Sequence, residues 1–160
     1  MTLDLSTAPE IALLAGPLGA EPTQRGCGTR VSVGYLAGCL GVLAAEPQHW
    51  WELVRFDPAA VLRIPVAAPR PGCAAWLLVV PPGEGAAGGE GTAGEGTAGW
   101  EAACLIAGEM AEWASTPDGP VTRPLRAGRT RVRGERSHGG REGLVNTGTG
   151  YAIVLAACPA

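Results

Sequence analysis

The spacing of apolar residues changes near residue 56, and the two regimes predict different structure. Before it, Val31, Leu36, Cys39, Leu40 and Leu43 recur at helical steps, with Thr29 placed to cap the start. An earlier helix signal precedes them: Ser6 and Thr7 stand before Pro9 and the IALLA run, and Gly16-Pro17 stops it. Pro47 can begin a third, short helix carrying His49, Trp50, Trp51, Leu53 and Val54. Residues 1–46 therefore read as an N-terminal helical segment and residues 47–160 as a second unit.

Beyond Phe56 the period is that of strands. Leu62, Ile64 and Val66 alternate with Arg63 and Pro65, as in a half-buried edge strand. Ala74 to Val80 is a continuous apolar run between Pro-Gly and Pro-Pro-Gly, fitting a strand buried on both faces. Ala102 to Trp113 reads as two short strands about a turn at Gly108. Arg129 to Arg133 reads as a strand with its arginines outward. Leu144–Gly148 and Tyr151–Ala157 read as a closing hairpin with a Gly-Thr-Gly turn. Short strands punctuated by Gly and Pro predict a mainly β domain, either a sandwich or a jelly-roll barrel. Between strands, residues 83–99 are Gly-rich, with Glu-Gly-Thr-Ala-Gly twice at 90–99, and predict a flexible loop, since ordering so many glycines is entropically costly. A phosphate-binding role for this tract is disfavoured. Its glutamates repel phosphate, and neither a Lys-Ser/Thr pair nor a helix follows it.

Composition narrows the class. A chain of 160 residues with 46% hydrophobic residues and net charge −3 is that of one ordinary globular domain, with no overall attraction to polyanions. The five cysteines are irregularly spaced without a CxxC pair, which predicts reduced, partly buried thiols and a cytoplasmic setting. The uncharged run Val31–Ala45 contains LAGC, which imitates a lipoprotein processing box. It is too short to span a bilayer and follows an acidic leader, so a buried helix is expected and no membrane association.

Three blocks carry a resemblance. They are His49-Trp50-Trp51-Glu52-Leu53-Val54-Arg55-Phe56-Asp57 with Arg63 beyond, Trp76 to Gly83, and Leu105-Ile106-Ala107-Gly108-Glu109-Met110. Together with Pro124 to Arg129 and the Val145-Asn146-Thr147-Gly148 segment before Ala152–Leu155, they resemble the thiol dioxygenases of the cysteine dioxygenase family. The resemblance covers roughly residues 47–158 and implies a cupin-like jelly-roll barrel.

The departures from that family matter as much. The resemblance implies an iron held by three histidines, yet the chain has only His49 and His138. The Glu-Gly-Thr-Ala-Gly repeats stand where the family has His-x-His, and Glu142 stands at the third ligand position. The polar set on the family's last strand becomes Val154, Ala156 and Cys158. Oxygen chemistry on a thiolate needs an open-coordination metal, which side chains do not replace. A triad of His49, His138 and Glu142 is disfavoured by the helical position of His49 and by Arg136 and Arg141 beside the other two. His49 is expected partly buried beside the Trp pair, and His138 solvated in a loop.

Arg63 has two readings: by resemblance it would hold a substrate carboxylate, and by pattern it is an exposed arginine on an edge strand. The tryptophans read as the bulk of the core. All twelve basic residues are arginine, and seven lie between Arg123 and Arg141. That stretch reads as a solvated face with internal charge balance. No aromatic residue interleaves the arginines, which argues against a nucleic-acid surface. The expectation is a non-catalytic, metal-free binding or vestigial cupin without catalytic residues or cofactor, with a small carboxylate as its ligand through Arg63. The alternatives are an active iron-dependent thiol dioxygenase with unorthodox ligands, and an interaction module using the arginine-rich hairpin 123–141.

Overall fold

The computed structural model describes residues 31–88, 100–132 and 142–160, with only the backbone at 87, 88 and 142. Helix α1 spans Val33–Ala45. Ser32 caps it, its Oγ accepting a hydrogen bond from the Tyr35 amide at 3.2 Å. The expected cap, Thr29, lies outside the described residues; the nearer hydroxyl takes the role. Leu36, Cys39, Leu40 and Leu43 are the buried stripe of the helix. Its exit is secured by Trp50, whose indole donates to the Leu43 carbonyl at 2.7 Å and satisfies an acceptor near the helix end. Two single-turn 3-10 segments, Pro47–His49 and Trp51–Leu53, stand where a third helix was expected.

Nine strands follow: β1 (Leu62–Val66), β2 (Cys73–Val80), β3 (Gly85–Gly88), β4 (Ala102–Ala107), β5 (Met110–Thr116), β6 (Gly119–Pro124), β7 (Thr130–Val132), β8 (Glu142–Asn146) and β9 (Ala152–Pro159). They form two antiparallel sheets, ordered β1-β2-β9-β4-β7 and β3-β8-β5-β6. Leaving aside β1, this is the order of a double-sheet jelly roll, in which every connection from β2 onward except the β5–β6 hairpin crosses from one sheet to the other. The mainly β class expected from the pattern is the observed one, and of the two architectures it left open the chain adopts the jelly roll that the resemblance implied.

The five-stranded sheet is the middle of three layers. Alternation on its strands sends Ala75, Leu77 and Val79 of β2, Ala102 and Cys104 of β4, and Ile153, Leu155 and Ala157 of β9 toward α1. The opposite positions, Leu78, Val80, Ala103, Leu105, Val154 and Ala156, meet Met110 and Leu144 of the four-stranded sheet. Both faces of β2 and β9 are thus buried, which explains their continuous apolar runs.

Four sequence expectations change. Residues 85–88, placed in the 83–99 loop, are strand β3, paired with β8 from Gly85↔Val145 to Gly88↔Glu142; residues 89–99 lie outside the described residues. The closing hairpin does not exist, because β8 and β9 belong to different sheets and Asn146–Ala152 carries the chain between them. Strand β6 was not anticipated: Pro120 and Pro124 hide it, yet it pairs with β5 through a Pro117-Asp118 turn, as an edge strand tolerates proline. Trp51 is 58% exposed instead of buried, because its short helical turn lies outside both cores. The strand pair about Gly108 is as expected. Gly108 has φ of 88°, and a Cβ there would lie 2.6 Å from the Tyr151 carbonyl oxygen.

Candidate functional site

The inner faces of the two sheets are where a jelly roll builds a ligand site. On β1, Arg63 pairs with Leu78, and cross-strand partners share a face. Arg63 therefore points between the sheets, while Leu62, Ile64 and Val66 pack toward α1. The expectation of an exposed edge arginine is corrected: Arg63 is half-buried, and its guanidinium carbon lies 4.0 Å from the centroid of the Trp76 ring. Trp76 sits on the same face of β2 and is half-buried with it.

Cys158, at the inner-face end of β9, senses this group. Burial pushes its thiol pKa up, the Glu101 carboxylate pushes it further up, and the Arg63 charge opposes both. The net effect favours the neutral thiol at this position, whose Sγ donates to the Pro159 carbonyl at 3.0 Å. The row crossing the sheet at Trp76 runs through Ala156 and Ala103 to Arg131. Small side chains thus lie between an aromatic wall on one side and an arginine on the other.

The deeper positions are apolar. Leu78, Val80, Leu105, Met110, Leu144, Val154 and Ala156 are buried, and Asn146 is the one buried polar side chain among the described residues. Asn146 is committed to structure: its amide donates to the Val80 and Gly150 carbonyls at 2.9 and 2.8 Å, and its Oδ1 accepts from the Gly148 amide at 2.9 Å. The iron implied by the resemblance does not fit these residues. The described residues contain no group of three His, Cys, Asp or Glu side chains able to hold a metal. His49 is exposed outside the barrel, 3.3 Å from the Glu46 carboxylate, and does not partner the Trp pair in a buried site. His138 lies outside the described residues. Glu142 opens β8, and only its backbone is described.

The four described cysteines, Cys39, Cys73, Cys104 and Cys158, are free and buried. The Cys73 thiol donates to the Ala74 carbonyl at 3.8 Å and packs in the same buried cluster as Cys39 of α1. Burial chiefly, with this neighbouring thiol adding to it, pushes the Cys73 pKa up to about 12.

Sequence reasoning missed the second polar feature. Glu112 of β5 pairs with Leu144 and so faces inward, and Arg131 of β7 pairs with Ala103 and does the same. The Arg131 Nε donates to Glu112 Oε2 at 2.8 Å, tying one sheet to the other. The expectation of outward arginines is corrected for Arg131 alone, which lies on the inner face at the sheet edge yet remains exposed; Arg129 is exposed as expected, and Arg133 lies outside the described residues. The separation of 19 residues left no local signal of the pair.

No protein-family model and no curated protein sequence matches the chain. Among solved structures, an uncharacterised conserved protein with a double-stranded β-helix domain from Klebsiella pneumoniae subsp. pneumoniae is similar at 18% identity. It covers 68% of this chain and 79% of its own, with a TM-score of 0.49. A cupin 2 conserved barrel domain protein from Salinispora arenicola is also 18% identical over 65% of this chain and 78% of its own, with a TM-score of 0.43. The hydroxypropylphosphonic acid epoxidase of S. wedmorenis is 15% identical over 65% of this chain and 58% of its own, with a TM-score of 0.38. These are similarities of shape. The class defined by strand order is the jelly roll, the architecture that cupins share.

Proposed function

We propose that this protein is a metal-free, non-catalytic cupin-type domain that binds a small carboxylate at the barrel mouth through Arg63. The carrying observation is the stacking of the Arg63 guanidinium on the Trp76 ring, on the inner face of the barrel. Stacking holds the guanidinium plane in place, so less side-chain freedom is lost when its N–H fork meets a carboxylate. The apolar floor beneath supplies contact for a short hydrocarbon part but no group for acid, base or nucleophilic chemistry. Descent from thiol dioxygenases with loss of the metal ligands accounts for both the resemblance and the departures.

Two measurements test this together. Iron content is determined after aerobic purification and after anaerobic reconstitution with ferrous ion, with oxygen uptake followed in the presence of cysteine. Tryptophan fluorescence is then titrated with acetate, propionate and succinate, for wild type and Arg63→Met, a variant that keeps an apolar stem on Trp76. The expected outcome is no stoichiometric iron, no thiol-dependent oxygen uptake, and carboxylate affinity reduced about tenfold or more in the variant, the loss of about one charge-assisted contact. Iron near one per chain with oxygen consumption would establish the dioxygenase alternative. Equal titration of wild type and variant would remove Arg63 from the site.

A further inference from the structure

The chain places its basic residues unevenly, and the fold gathers them further. Strands β6 and β7 are the outer strands of the two sheets, and the Glu112–Arg131 pair joins the sheets there. Arg123, directly opposite Glu112 on β6, belongs to the same seam, and Arg126 and Arg129 lie in the connection from β6 to β7. All four arginines are exposed. From Gly119 to Val132 the sequence contains no acidic residue. Asp118 is at the hairpin turn, the opposite end of β6 from Arg123.

The expectation of internal charge balance holds for one of these arginines. Glu112 is nearly buried, with a side-chain exposure of 11%, and engages Arg131 through Nε alone, which leaves both Nη groups directed elsewhere. Among the described residues, the side chains of Arg123, Arg126 and Arg129 make no ion pair or hydrogen bond; Arg129 meets Arg126 only through its amide, which donates to the Arg126 carbonyl at 3.1 Å. A surface on which three guanidinium groups without a side-chain partner lie near an Arg131 braced by the Glu112 carboxylate is held at an electrostatic cost that an anionic partner relieves.

We propose that the seam between β6 and β7 docks an acidic peptide segment of a partner protein, read by Arg123, Arg126, Arg129 and Arg131. The planar guanidinium fork matches the carboxylate of Glu or Asp in a bidentate pair. Residues 119–132 include no aromatic side chain on which a base would stack, and the chain as a whole carries a net charge of −3, which opposes a long polyanion. The seam is separate from Arg63, since β1 and β7 are opposite edges of one sheet.

The test is fluorescence anisotropy of a labelled oligoglutamate peptide titrated with the full chain, repeated at rising salt and with a labelled short DNA duplex. Saturable peptide binding that weakens with salt is expected, about tenfold weaker in the triple variant Arg123→Gln/Arg126→Gln/Arg129→Gln and unchanged in Arg55→Gln. Each single substitution is expected to weaken binding about two- to threefold, which keeps the test decisive if the triple variant loses its circular dichroism. Absence of peptide binding at low salt, equal binding by the folded variants, or tighter binding of the duplex at matched salt would each overturn the proposal.

Discussion

Asn146 shows how one side chain can hold a crossing between sheets. Its amide reaches the carbonyl at the end of β2 and that of Gly150, while its oxygen receives the Gly148 amide. Truncation would strand buried groups whose desolvation costs about 1–3 kcal/mol each. Asn146→Ala is therefore expected to lower stability by about 2–4 kcal/mol, read as a fall in the urea midpoint without change in slope. Cys73 makes a prediction of the opposite kind, in pH. Its pKa is raised from 9.0 to about 12 in the folded protein, chiefly by burial. The folded state thus keeps a proton that the unfolded chain releases at lower pH, so the contribution is complete below about 9 and is lost as pH rises toward about 12. Cys73→Ala should show a shallower loss of thermal stability over that alkaline range. An alkaline slope identical to wild type would contradict the assignment.

At the scale of elements, the turn between β4 and β5 is the most constrained joint. Gly108 has positive φ, and the space a Cβ would occupy holds the Tyr151 carbonyl and the Ala152 Cα, at 2.6 and 2.7 Å. Gly108→Ala is expected to cost about 1–3 kcal/mol, and more if β9 must shift away, measurable by thermal denaturation. This turn was legible because a glycine stands between two apolar runs. Strand β6 was not, since its two prolines suppress every local strand signal and only its register with β5 reveals it. Strand β3 was hidden for a similar reason: Gly85-Ala-Ala-Gly has no strand propensity of its own, and pairing with β8 creates it.

At the scale of the whole molecule, the two cores share one sheet, and the candidate site and the arginine seam occupy opposite edges of it. Among the described residues no helix is long and apolar enough to cross a membrane. Composition and periodicity by themselves determined the helix, the buried β2 and β9 runs, a mainly β domain of either sandwich or jelly-roll type, and the presence of only two histidines. These follow from local alternation and from counting, which need no knowledge of neighbours. Only the tertiary structure decided which way Arg63 points, that Trp76 lies beneath it, that Glu112 meets Arg131, and that β8 and β9 part into different sheets. Each of these depends on contacts between residues far apart in sequence, set by strand order and register. An alternating pattern marks two faces of a strand without saying which face meets which neighbour.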